Sequence, residues 1–112
     1  MGAGVLSDAS SAAGGAGGDD RAAGFVHRGG ALHCDAVAAT TIAEAAGTPA
    51  YVYSAGVIRR QFRRLAGAFA GVEHRIHYSV KANSNLAILR LLHGQGAGVD
   101  IVSGGELYRV RE

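Results

Sequence analysis

The chain has 112 residues, enough for one small domain with its own core but fewer than most complete α/β enzymes contain. Hydrophobic residues make up 48% and charged residues 18%, the balance of a soluble globular protein, whereas 18 glycines are more than double average usage. A formal net charge of +2 without an aromatic-rich or lysine-rich stripe joining the arginines is too mild to imply nucleic acid, and no nucleic-acid partner is expected. The lone Cys34 excludes an internal disulfide and points to the reducing cytoplasm, and no apolar run approaches a membrane span or a secretion signal.

Residues 1–24 are dominated by Gly, Ala, Ser and Asp, with Val5 and Leu6 the only sizeable apolar side chains, so a disordered leader is expected. Residues 25–48 form the next segment. Phe25 to Leu32 reads as two short apolar pieces around Gly29-Gly30, which predicts a β-hairpin that needs something to pack on. A short helix is expected after it, with capping-box spacing between Thr41 and Glu44, Ile42 opening its apolar face, and Gly47-Thr48-Pro49 ending it.

From residue 49 onward the pattern is that of an α/β unit. Ala50 to Tyr53 reads as a strand. Ile58, Phe62, Leu65 and Phe69 recur as one helical stripe, while Arg59, Arg60, Arg63 and Arg64 fall on the other side and read as a solvated face. Past Gly71 the period changes to two: Ile76, Tyr78 and Val80 share one side of a strand and His77, Ser79 and Lys81 the other. Asn83, Ser84 or Asn85 caps a helix over Leu86 to Leu92, Gly94 ends it, and Val99 to Val102 is the next strand. Strand, helix and strand with short connections predict a βαβ unit with parallel strands, whose carboxyl ends carry the chemistry. The helix begun at Ser103 has no terminating signal before Glu112, so the chain is expected to be truncated there.

Lys81 is the residue with the most chemical content. It is expected at the end of a buried strand, where burial of an ammonium disfavours its charged form and favours the amine that attacks carbonyls. Asp100 at the end of the following strand, and Ser103-Gly104-Gly105-Glu106 after it, supply candidate acids. An imine with an aldehyde such as pyridoxal phosphate fits, as does an aldolase lysine. Each residue also has a plainer reading. A strand-end lysine or aspartate can be a surface group, S-x-x-E is a capping box, and Tyr78 is expected in the core. The five histidines lack metal-ligand spacing, so no metal is expected. Gly94, Gly96 and Gly98 follow a helix and precede a strand, the reverse of a dinucleotide-binding turn.

The run YSVKANSNLAILRLL followed by GAGVDIVSGGEL resembles diaminopimelate decarboxylase, in the alanine-racemase-like, fold-type III group of pyridoxal-phosphate enzymes, and GTPAYVYS is similar to the segment ahead of the barrel in that family. The likeness covers roughly residues 25–112 and implies the first strands and helices of a (β/α)8 TIM-type barrel, too few to close it, preceded by an N-terminal strand that joins a C-terminal β-domain. It implies that Lys81 forms the imine with pyridoxal phosphate, that Ser79 lines the cofactor, and that Asp100 and Glu106 lie near the lysine. The implied activity is decarboxylation of meso-2,6-diaminoheptanedioate to L-lysine by a cytoplasmic homodimer. Ornithine or arginine decarboxylases, alanine racemase and a non-catalytic cofactor carrier are the alternatives. The phosphate loop, the acid facing the pyridine nitrogen, the substrate-binding arginine and a cysteine contributed across the dimer lie later in that family, and Cys34 is too early to be that cysteine. The 112 residues alone are therefore expected to be inactive.

Overall fold

The computed structural model describes residues 5–7 and 24–112, and within these the chain divides into two compact units, Met1–Val57 and Ile58–Glu112. In the first unit, β1 (Val5–Ser7) pairs in parallel with a later strand, Val52–Ser54. These three residues and Gly24 belong to the expected leader, and the rest of it lies outside the described residues. The expected hairpin is present. Strands β2 (Phe25–Arg28) and β3 (Ala31–Cys34) are antiparallel, and Gly29 and Gly30 at φ 56° and 81° form the turn, in the left-handed region that strains any side chain.

Something does pack on this hairpin, and it comes from the next residues along the chain. Asp35 turns the chain at φ 52°, and β4 (Val37–Ala38) adds a third antiparallel strand beside β3. Helix α1 (Ala39–Ala46) follows at once and contacts β3 and β4, with Cys34 and Ile42 both buried. The expected capping box at Thr41 is not formed. Pairing of β4 delivers the chain to the helix at Ala38, which is the N-cap and makes no side-chain capping bond. The far end is as expected, with Gly47 at φ 77° donating its N–H to the Ala43 carbonyl.

Strand β5 (Val52–Ser54) leads directly into α2 (Ala55–Ala68). Ser54, itself 5% exposed, starts that helix: its hydroxyl accepts from the Val57 N–H at 3.0 Å and donates to Asp35 at 2.6 Å. The second Asp35 carboxylate oxygen accepts the Gly56 N–H at 3.2 Å, so one side chain from the β3–β4 turn satisfies two groups at the start of α2. The helical stripe expected on α2 exists but is only partly covered. Ile58 and Phe62 are half-buried, whereas Leu65 and Phe69 are exposed.

The second unit holds the expected βαβ arrangement. Strand β6 (His77–Ser79) and strand β7 (Gly98–Asp100) are parallel neighbours, joined through α3 (Leu86–His93). Ile88, Leu89 and Leu92 from one face of α3 are buried together with Val80 and Ala97. Each such aliphatic side chain contributes about 1.5–3 kcal/mol when fully withdrawn from water. Asn85 caps α3 by accepting the Ala87 N–H at 2.9 Å. Gly94 closes the helix in right-handed conformation, and the left-handed step falls two residues later at Gly96, φ 92°. Helix α4 (Gly104–Arg111) ends the described chain.

Candidate active site

The site is built where β6 and β7 end. Their register pairs His77 with Gly98, Tyr78 with Val99 and Ser79 with Asp100. Residues paired across adjacent strands share a face, so Ser79 and Asp100 stand side by side at the carboxyl ends, with His77 and Gly98 behind them on the same face. The glycine at 98 makes room for the His77 ring, since a Cβ there would lie 2.7 Å from it and the ring would have to move. Ser79 is half-buried and Asp100 exposed.

Beyond Ser79 the chain leaves the sheet earlier than the alternating pattern suggested. Val80–Ala82 form a single 3-10 turn, in which Val80 is fully buried and Lys81 is exposed. The burial expected for Lys81 is therefore corrected: the turn commits Val80 inward and points the next residue out, and no described residue covers the amine. Neither Asp100 nor Glu106 pairs with it. Among the described residues no hydrogen bond or ion pair engages the Lys81 ammonium.

The backbone that carries Lys81 is tightly held. The Tyr78 hydroxyl donates to the Asn83 carbonyl oxygen at 3.1 Å, and the Asn83 side-chain oxygen accepts the Asn85 N–H at 3.0 Å. From α4, Arg109 Nε donates to the Ser84 carbonyl at 3.1 Å. Reading Tyr78 as a core aromatic missed its hydroxyl, because the acceptor is a backbone carbonyl that no periodicity announces.

Glu106 has an occupation already. Ser103 is the N-cap of α4, its hydroxyl accepting the Glu106 N–H at 3.2 Å, while the Glu106 carboxylate accepts the Val102 N–H at 2.7 Å. This is the reciprocal pairing of a capping box, reaching one residue further back than usual. A groove of about 450 Å³ lies in this unit between α3, β7 and α4, lined by Leu86, Leu89, Val99 and Val110 with Arg90 and Arg109. None of Lys81, Ser79, Asp100 or Glu106 lines it. No trio of His, Cys, Asp and Glu side chains suited to a metal ion occurs among the described residues.

One sequence signal bears on the site with unusual weight. Of 11 basic residues Lys81 alone is a lysine, and the other ten are arginines. A guanidinium can do most of what a surface ammonium does, but it is not deprotonated in proteins and cannot form an imine. The one lysine stands in the turn that follows β6.

Comparisons with known proteins agree with this geometry. Residues 55–112 match the family model described as pyridoxal-dependent decarboxylase, pyridoxal binding domain. Diaminopimelate decarboxylases from Pseudomonas fluorescens and Pseudomonas aeruginosa are 54% and 51% identical over 86 residues, 77% of this chain and 21% of each relative. The crystal structure of diaminopimelate decarboxylase from M. jannaschii in complex with L-lysine superposes with a TM-score of 0.73 at 39% identity, covering 82% of this chain and 22% of that one. The chain thus spans about a fifth of the length of the relatives it matches. That likeness gives it the fold of those enzymes over the matched part, the opening strands and helices of an α/β barrel. The parallel β6–α3–β7 unit and the lysine turn at its carboxyl end are therefore those of a pyridoxal-binding domain, and the chain belongs to the pyridoxal-dependent decarboxylase family.

Proposed function

We propose that this chain forms part of an enzyme that converts meso-2,6-diaminoheptanedioate to L-lysine and CO2, with Lys81 as the residue that binds pyridoxal phosphate through its Nζ. The observation that carries the proposal is the placement of the chain's one lysine. It is exposed, unengaged among the described residues, and two residues beyond the Ser79–Asp100 pair at the carboxyl ends of parallel strands. The residues present fit the aldehyde end of the cofactor, which requires a primary amine on a fixed backbone, and α4 and Tyr78 hold that backbone.

When bound, pyridoxal phosphate supplies a sink for the electron pair left behind as CO2 departs. The chain's own residues bind and orient. Lys81 Nζ would hold the aldehyde end of the cofactor, and once the substrate amine had taken that place the freed lysine amine would be able to hold and return a proton. Ser79 presents a hydroxyl at the strand end, and Asp100 beside it presents a carboxylate. Glu106 is placed as a fixed negative charge at the start of α4, its position set by the Val102 N–H. The substrate assignment rests on the relatives' names and on the L-lysine bound to one of them, which is the expected product. A cytoplasmic homodimer is proposed from the same resemblance. Among the described residues no helix is long and apolar enough to cross a membrane.

The test is an assay of the full protein that contains this chain. One CO2 and one L-lysine are expected per meso-diaminopimelate consumed, with Lys81→Ala reducing turnover to background. Turnover of ornithine or arginine in its place would move the substrate assignment, and cofactor binding without any CO2 release would replace the enzyme by a carrier.

A further inference from the structure

We infer that Tyr78 is a positioning residue for Lys81, acting through the hydrogen bond from its hydroxyl to the Asn83 carbonyl; the inference rests on Lys81 being the cofactor-binding amine. The turn has little of its own to fix it. Val80–Ala82 is one three-residue 3-10 turn, a form whose hydrogen-bond geometry is poorer than that of an α-helix. Ser79 ahead of it makes no side-chain capping bond, and Asn83 behind it is already extended, φ −163°.

The Tyr78–Asn83 bond spans the lysine, joining a residue three before it to one two after it, at 3.1 Å. The two flanks are anchored independently. Val80 is fully buried, and Asn83 and Ser84 are held by the Asn85 N–H and by Arg109. Loss of the tyrosine hydroxyl would therefore leave strand, helix and their packing in place and free mainly the Lys81–Ala82 step. An amine that must meet one carbonyl carbon is sensitive to that freedom, because reactivity depends on holding the reacting atoms in near-attack geometry.

Tyr78→Phe in the full protein, reconstituted with pyridoxal phosphate, tests this. Removing one hydrogen bond is expected to slow formation of the lysine-bound cofactor by about three- to tenfold. It is also expected to lower the visible circular dichroism per bound cofactor, a signal of how rigidly the chromophore is held. Asp35→Asn is the control for simple destabilisation, since it weakens bonds in the other unit; it should lower thermal stability and leave both signals at the parent values. Parental rate and dichroism in Tyr78→Phe would overturn the inference. Retention of the visible band in Lys81→Ala would show instead that the lysine reading itself is wrong.

Discussion

At the scale of single residues, the account turns on the difference between an ammonium and a guanidinium. Lys81→Arg keeps the charge and most of the length, yet it removes the ability to form an imine. Turnover in the full protein is therefore expected to fall by roughly 10^4-fold or more, as for loss of other covalent catalysts, whereas a surface role for Lys81 would leave kinetics unchanged. Glu106 sits at the opposite extreme. Its carboxylate accepts the Val102 N–H at 2.7 Å, so Glu106→Ala is expected to cost about 1 kcal/mol through loss of the α4 cap, measured by denaturant unfolding. A Glu106→Ala protein of unaltered stability would remove the capping role.

At the scale of elements, two turns in the first unit are set by atoms that a reader of the sequence can name only in part. The hairpin was legible, because two adjacent glycines between apolar pieces satisfy a turn that needs positive φ at both positions. Gly30→Ala is expected to destabilise by about 1 kcal/mol, since a side chain at φ 81° is strained. The start of α2 was not legible. Ser54 and Asp35 meet there from positions 19 residues apart, and only the folded turn at Asp35 brings them together. Gly24 also belongs to this junction: a Cβ there would overlap Ser54 and lie 2.8 Å from a Val57 methyl. Gly24→Ala is expected to cost about 3 kcal/mol by overpacking, read as a fall in the thermal midpoint, and a midpoint equal to the parent would contradict this packing. Sequence spacing likewise put a capping box at Thr41, but the pairing of β4 with β3 started α1 earlier. Tertiary pairing overrode a local signal.

At the scale of the whole molecule, the βαβ unit was readable because period-two and period-3.6 patterns alternate cleanly, and the family was readable from the resemblance carried by YSVKANSNLAILRLL and GAGVDIVSGGEL. Burial of Lys81 was not readable from the strand pattern. That pattern describes sheet faces, whereas the residue after Ser79 already belongs to a turn, and cover over an amine comes from whatever packs across the strand ends. The Tyr78 hydroxyl bond was hidden for a related reason, since its acceptor is a main-chain carbonyl fixed by the turn itself. The lysine count, by contrast, was available from the outset: one lysine against ten arginines singles out position 81 for the proposed role, which a guanidinium could not fill. The most direct test of the central claim uses that fact. The full protein is loaded with pyridoxal phosphate, reduced with borohydride, and its peptides are mapped by mass spectrometry. The account expects the reduced pyridoxyl group on the peptide containing Lys81, and its loss in Lys81→Ala; a folded protein that carries the group elsewhere, or on no peptide, would contradict it.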